Sequence, residues 1–173
     1  MNMGTKLAKA FNEQINREYY SAFLYLAMSA WLNEQDLPGA AKWMYVQYQE
    51  ELVHAQGLVK YLMLRGDKVD LMPIEAPKKE WTSPLNAFEE ALEHERQVTK
   101  WIDDLAKMAE EEGDRAARLF LDWYILEQVE EEANGEENVV LWGRAGDAPS
   151  GIMMLDVHYG QRGFSPDEIP HLD

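Results

Sequence analysis

The sequence predicts an all-α protein: a four-helix bundle with a long crossover between its second and third helices and a short fifth helix. Four long segments carry apolar residues at three- and four-residue steps, which is the spacing of one helix face. Two of the links between these segments are short, whereas the third extends from Asp67 to Thr82. A link of that length can cross the whole bundle, so it predicts two antiparallel helix pairs joined by a crossover.

The first two predicted helices are bounded by residues that favour helix ends. The first runs from about 5 to 33, with Thr5 as its expected N-cap. The second runs from about 37 to 65, with Asp36 as its expected N-cap. Gly66 follows its last residue, and glycine is common where a chain leaves a helix. We therefore expect an antiparallel pair joined by a tight link.

The third and fourth predicted helices are also separated by a short link. The third runs from about 83 to 112, with Ser83 as its N-cap, and the fourth runs from about 114 to 142. Asn134 and Gly135 lie inside the fourth helix, although this dipeptide is typical of turns. We expect a single helix there, with a kink or local distortion at the dipeptide.

A short apolar segment and a tail follow the four long helices. Residues 150–158 are expected to form the short fifth helix. Residues 160–173 contain two prolines and are expected to form a mobile tail. The length of 173 residues suits a single domain.

The inner face of each long helix is interrupted by polar side chains near its middle. In chain order the interrupting residues are Glu18, Glu51, His54, Glu95, Gln128 and Glu131. Helices of similar length that lie side by side bring their midpoints to a common depth. We therefore expect these side chains to meet in the core, with either Glu127 or Gln128 pointing inward on the fourth helix.

A group of buried carboxylates needs a positive partner. An ionised carboxylate buried without one is very unfavourable, and few Lys or Arg residues share these helix faces. Helical bundles that bind two metal ions are known to combine single glutamates with Glu-x-x-His, the spacing of Glu51 and His54. Carboxylates with an imidazole suit iron or manganese, whereas an all-oxygen cage would suit calcium or magnesium. The sequence therefore predicts a metal site, with iron as the preferred metal.

The composition argues against several other classes of function. The chain has no cysteine, which excludes a disulfide scaffold, a cysteine zinc site and a thiolate-bound iron–sulfur cluster. Lys and Arg number 16 and Asp and Glu 32, so the net charge of −16 argues against nucleic-acid binding and favours attraction of cations. Neither a secretory signal nor an apolar run of membrane-spanning length is visible, so we expect a cytoplasmic protein that does not bind a membrane.

Four segments contain the predicted ligands: residues 16–22 (NREYYSA), 49–55 (QEELVHA), 94–95 (HE) and 123–132 (WYILEQVEEE). By these segments the chain, from residue 11 to about 158, resembles the ferritins, specifically their non-haem bacterial and archaeal branch. Residues 148–151 (APSG) and 155–158 (LDVH) are similar to the short fifth helix of ferritins. Because these segments span nearly the whole chain, the resemblance implies the ferritin-like bundle and a diiron ferroxidase centre.

The resemblance also implies a role for each ligand. Glu18, Glu51 and His54 would hold the first iron. Glu51 would bridge to a second iron, held by Glu95 and Glu131 with Gln128 nearby. Glu51 is therefore the one carboxylate expected to touch both ions.

Further residues match positions with known roles in the family. Glu50, Glu127 and Glu130 match a third iron site of bacterial members. Tyr25 matches a redox-active tyrosine beside the diiron centre, and Trp123 is a weaker candidate for the same electron supply. These roles are implied by the resemblance and do not follow from residue spacing.

The function implied is iron storage with ferroxidase activity. Fe(II) would be oxidised by dioxygen or hydrogen peroxide and stored as a ferric mineral inside a hollow homo-oligomeric shell, 24 subunits in this family. Haem is not expected, because Leu52 stands where haem-binding relatives carry the ligating methionine. Asp122 matches a position that lines an iron-entry pore in some ferritins. The alternative is a structural cage or interaction bundle without ferroxidase activity.

Overall fold

All five predicted helices are present in the computed structural model, which describes residues 2–165, 169 and 172. The helices are α1 Thr5–Glu34, α2 Pro38–Arg65, α3 Pro84–Glu111, α4 Arg115–Ala145 and α5 Pro149–Tyr159. The described residues contain no strand, which confirms the predicted all-α class. None of the described helices combines the length and apolar character needed to cross a bilayer.

Two of the predicted helix caps are wrong. Thr5 is the first residue of α1, and Gly4 precedes it as the N-cap. Asp36 adopts a left-handed conformation, with φ of 59°, and does not cap α2. The first turn of α2 is instead capped from α5, because the Ala40 N–H donates to Asp156 Oδ1 at 2.8 Å. A cap that comes from a distant part of the chain leaves no signal in the local sequence.

The predicted cap Ser83 and the predicted helix end at Gly66 are confirmed. The fourth helix is a single helix, as predicted, but it ends at Ala145, three residues beyond the predicted end. Ser83 caps α3 by accepting from the Asn86 N–H at 3.0 Å. Gly66 ends α2 in the left-handed conformation, with φ of 78°. Helix α4 continues through Gly135. The Cβ of any other residue at this position would lie 2.9 Å from Leu92 Cδ1. This glycine therefore permits close packing of α3 against α4 and does not mark a turn.

The crossover between α2 and α3 follows α1 along the bundle, as predicted. Near the start of α1, Asn12 donates to the carbonyl of Lys68 at 3.0 Å and accepts from the N–H of Asp70 at 2.6 Å. Near the end of α1, Trp31 packs edge-on against Trp81, with 5.7 Å between ring centroids. These contacts lie at opposite ends of α1, so the crossover spans the bundle and delivers α3 to the end where α1 finishes.

Two apolar clusters lie on either side of a polar layer at mid-height. The Trp31 cluster includes Tyr25, Met28, Trp31, Leu32, Trp43, Met44, Phe88, Trp142 and Tyr159. The Phe11 cluster includes Leu7, Phe11, Ile15, Leu58, Tyr61, Leu62, Ile102, Phe120, Leu121 and Tyr124. Each fully buried large side chain contributes about 1.5–3 kcal/mol of burial free energy. The bundle is therefore stabilised from both ends, and the predicted ligands lie between.

The segment after α5 begins with specific contacts. Arg162, which lies in the region expected to be mobile, reaches Glu50 of α2 with 2.7 Å between Nη2 and Oε2. Farther along, Ile169 and Leu172 lie against the Phe11 cluster. The remainder of the predicted mobile tail, residues 166–168, 170, 171 and 173, lies outside the described residues.

Candidate metal centre

Three of the predicted ligands form one compact group in the polar layer. Glu18 of α1 and Glu51 and His54 of α2 each offer a ligand atom, and these atoms lie within 4.8 Å of one another. Within the group, His54 Nδ1 lies 3.6 Å from Glu51 Oε2. The three residues are only 1%, 2% and 3% exposed, so bulk water does not solvate the charges. Two carboxylates and an imidazole at this separation suit a single metal ion.

Neighbouring side chains fix the position of His54. Its backbone carbonyl accepts a hydrogen bond from the Tyr124 hydroxyl at 2.8 Å. Its ring meets the rings of Trp123 and Tyr124 nearly edge-on, at centroid distances of 5.5 and 6.1 Å. Because α4 supports the imidazole from the side, the ring is held in place before any metal arrives.

Glu95 of α3 also lies in the polar layer, and it accepts hydrogen bonds from side chains of two other helices. Gln128 Nε2 of α4 donates to its Oε2 at 3.2 Å and also to its backbone carbonyl at 3.2 Å. The hydroxyl of Tyr25 on α1 donates to Oε1 in a very short hydrogen bond. Gln128 therefore points inward, which resolves the alternative with Glu127, and Tyr25 directly contacts a predicted ligand.

Two glutamines that the sequence had not singled out as functional orient carboxylates of the layer. Gln14 Nε2 donates to Glu18 Oε1 at 2.7 Å, and Gln47 Nε2 donates to Glu131 Oε2 at 2.8 Å. Both glutamines are fully buried. A sequence signal existed for both, because Gln14 and Gln47 stand one helical turn before Glu18 and Glu51 on the same faces.

The electrostatics of the layer are unfavourable without a cation. Burial raises the pKa of Glu18, Glu51, Glu95 and Glu131 above the usual carboxyl range. For Glu51 the charges of Glu95 and Glu18 add to the effect of burial. Glu18 Oε2 is buried without a hydrogen-bond partner among the described residues. A metal ion would supply the missing positive charge and give this oxygen a partner, so the residues present fit a metal centre.

The residues predicted for a third site lie at the edge of this layer. Glu130 is exposed, Glu127 is half-buried, and Glu50 forms the ion pair with Arg162. Glu50 and Glu130 both line a cavity of about 580 Å³ beside the polar layer. None of the three carboxylates belongs to the compact group of Glu18, Glu51 and His54.

Asp122, predicted to line a pore, is already paired within the chain. It forms a very short ion pair with Arg118, one turn earlier on α4. Arg118 also contacts Glu110 of α3, with 2.8 Å between its Nε and the carboxylate. Part of the negative charge at Asp122 is therefore neutralised within the chain.

Known proteins share both the sequence pattern and the fold. The ferritin-like domain family matches residues 8–143. A bacterial non-heme ferritin of Bacteroides fragilis is 43% identical over 162 residues, which cover 91% of this chain and 98% of the relative. One of Staphylococcus aureus is 32% identical over 165 residues, covering 95% and 99%.

Solved structures agree with these sequence comparisons. A closed form of the Archaeoglobus fulgidus ferritin, engineered by mutagenesis, superimposes with a TM-score of 0.94. It is 43% identical and covers 95% of this chain and 100% of its own. The open-pore ferritin of the same archaeon gives a TM-score of 0.92 at 43% identity, covering 93% and 98%. The chain therefore belongs to the ferritin family of iron-storage proteins, in its non-haem bacterial and archaeal branch.

Proposed function

We propose that the chain is a ferroxidase that oxidises Fe(II) at a diiron centre in the polar layer. Glu18, Glu51 and His54 would bind one iron ion. Glu95 and Glu131 would bind the other, with Gln128 beside them, and Glu51 would bridge the two. The observation that carries the proposal is the group of buried carboxylates around one imidazole, with a buried glutamate oxygen that lacks a partner among the described residues.

The reaction takes two electrons from two Fe(II) ions. With dioxygen as acceptor, these electrons and two protons yield hydrogen peroxide. With hydrogen peroxide as acceptor, they break the O–O bond and, with two protons, yield two water molecules. The protein contributes by holding both ions together in a buried layer, so that the electrons reach one acceptor in a single encounter.

Tyr25 is the proposed redox-active side chain of the centre. Burial, together with the charge of Glu95, raises the pKa of its hydroxyl well above the usual range for tyrosine, so the phenol keeps its proton. Its hydrogen bond to Glu95 provides a carboxylate to which that proton can move if the ring is oxidised. Trp123, which packs against His54, remains a weaker candidate for the same role.

The storage function requires a compartment for the ferric product. We propose that the chain assembles into a cytoplasmic shell of 24 identical subunits, as its family resemblance implies, and that ferric mineral grows inside. Glu50, Glu127 and Glu130 would form a third iron site at the edge of the layer. The mass of particles in solution, measured by analytical ultracentrifugation, tests the number of subunits.

Aerobic Fe(II) oxidation by the assembled protein tests the ferroxidase proposal. Dioxygen uptake and ferric absorbance should both rise on mixing, and Glu51→Ala should slow the reaction by at least about 100-fold, since its loss removes the bridging ligand. Glu89→Ala removes an exposed acid of α3 and should react like the wild type. Equal rates for wild type and Glu51→Ala would contradict the diiron assignment. A wild type no faster than buffer would favour a structural cage.

A further inference from the structure

An arginine projects into the cavity beside the polar layer. Three carboxylates, Glu50, Glu130 and Glu137, line this cavity of about 580 Å³ together with Arg162. Arg162 comes from the segment just after α5, so a distant part of the chain brings its charge to this place. The proposed function assigns it no role.

Three contacts hold the Arg162 guanidinium against α2. Its Nη2 lies 2.7 Å from Glu50 Oε2, and its Nη1 donates to the Trp43 carbonyl at 3.4 Å. Its central carbon lies 4.4 Å from the centroid of the Trp43 ring, within cation–π distance. The side chains of Arg162 and Glu50 are only 22% and 15% exposed, so the pair is partly shielded from water.

The place that Arg162 occupies is rigid. Trp43 packs against Phe88 and Tyr159, at ring-centroid distances of 5.4 and 6.1 Å. The backbone that carries Arg162 is tied to α2, because Lys42 Nζ donates to the Gly160 carbonyl at 2.9 Å. The surroundings of the guanidinium are therefore fixed by contacts that do not involve Glu50.

Glu50 connects the cavity to the diiron layer. It directly precedes Glu51 on α2, and it lines the cavity together with Glu130, the residue before Glu131. A cation held at Glu50 is therefore one residue away from a proposed ligand of the layer. In this structure that cation is Arg162.

We propose that Arg162 acts as a tethered cation that competes with metal ions for Glu50. A metal ion that binds at Glu50 and Glu130 must first displace the guanidinium, so Arg162 lowers the affinity of this outer site for metal ions. Arginine suits the role because its charge is permanent and its planar head stacks on an indole. The inference rests on the proposed third site, but it concerns binding and not oxidation.

Calorimetric titration of the metal-free, assembled protein with Zn²⁺ tests the proposal, since zinc is not oxidised. The outer-site step is identified as the one lost in Glu130→Ala. In Arg162→Gln this step should become about two- to fivefold tighter, the range expected for loss of a partly shielded ion pair. Arg144→Gln removes the same charge from an exposed position of α4 and should match the wild type.

Arg162→Lys provides a second variant, because it keeps the charge but loses the planar stacking and the paired donors. Its outer-site affinity should fall between those of the wild type and Arg162→Gln. An unchanged or weaker outer-site step in Arg162→Gln overturns the proposal, as does the absence of any Glu130-dependent step in both proteins. If the protein fails to oxidise Fe(II) but the zinc results hold, the ferroxidase proposal alone fails.

Discussion

Gln47 of α2 donates its side-chain N–H to Glu131 of α4, with 2.8 Å between Nε2 and Oε2. Both residues are buried, and the amide oxygen of Gln47 has no partner among the described residues. The amide group is therefore held by its bond to the carboxylate. Gln47 is a positioning residue, because it orients a proposed ligand and is not itself one of the proposed ligands.

Gln47→Leu should weaken metal binding at the proposed second iron position. Leucine has a similar size but donates no hydrogen bond, so Glu131 loses the group that orients it. Loss of such an outer-shell partner typically costs 10–100-fold in metal affinity, and we expect about tenfold here. Zinc titration of the metal-free protein measures the effect. Gln56→Leu changes an exposed glutamine of the same helix and serves as the control. Equal loss in both variants would show that Gln47 has no specific role.

Tyr25→Phe should slow oxidation while leaving metal binding nearly unchanged. The substitution removes only the hydroxyl that donates to Glu95, and the ring remains packed in the Trp31 cluster. We expect Fe(II) oxidation about tenfold slower, equivalent to about 1.4 kcal/mol of activation free energy. Zinc affinity should stay within about twofold, below the 10–100-fold loss typical when a ligand loses its support, because Gln128 still donates to the Glu95 carboxylate. Stopped-flow absorbance and calorimetry measure the two quantities, and a large loss of zinc affinity would indicate a structural role instead.

Glu51→Gln should stabilise the metal-free protein at neutral pH. Burial, then the charges of Glu95 and Glu18, raises the pKa of Glu51 well above its ordinary value of 4.5, so the folded state favours the protonated carboxyl. Stability of the metal-free wild type therefore falls as pH rises from the unfolded toward the folded pKa. We expect the substitution to raise the free energy of unfolding at pH 7, because the neutral amide carries no charge that burial and the neighbouring carboxylates disfavour.

The pH dependence distinguishes this effect from better packing. Below the unfolded pKa the carboxyl is protonated in both states, so the advantage of Glu51→Gln should vanish near pH 4. Denaturant unfolding of protein stripped with a chelator measures it. An advantage that stays constant between pH 4 and pH 7 would contradict the electrostatic explanation.

Asp156→Ala should destabilise the end of the bundle where α5 meets α2. The substitution leaves the Ala40 N–H without its acceptor, and loss of a helix cap typically costs about 0.5–2 kcal/mol. The melting temperature of the metal-free protein should fall, whereas Asp147→Ala, at an exposed position before α5, should not change it. Asp156→Asn keeps an acceptor oxygen and should recover most of the loss. A melting temperature equally low in the Asn and Ala variants would show that the charge matters and the cap does not.

The features predictable from the sequence are those encoded within one or two helical turns. The helix positions and the inward faces of Glu18, Glu51 and Glu95 follow from a 3.6-residue period, which is local. The ligand roles required the family resemblance. The contact of Gln14 with Glu18 is also predictable, because Gln14 lies one turn before Glu18 on the same helix face.

The contacts that could not be predicted from the sequence join distant parts of the chain. Gln47 and Glu131 are 84 residues apart, Glu50 and Arg162 are 112 apart, and Ala40 and Asp156 are 116 apart. No periodicity relates such positions. Asp36 was a reasonable cap by residue type, but the choice between Asp36 and Asp156 depends on where α5 packs, and only the folded structure settles that.

The two apolar clusters stabilise the bundle, whereas the polar layer between them carries the proposed metal ligands. Each cluster draws on all four long helices, and neither contains a proposed metal ligand. The apolar residues toward the ends of the helices can therefore specify the fold, although the buried carboxylates between them repel one another. Because of this separation, the ligands of the central layer can be substituted to suit a different metal without changing the residues that specify the fold.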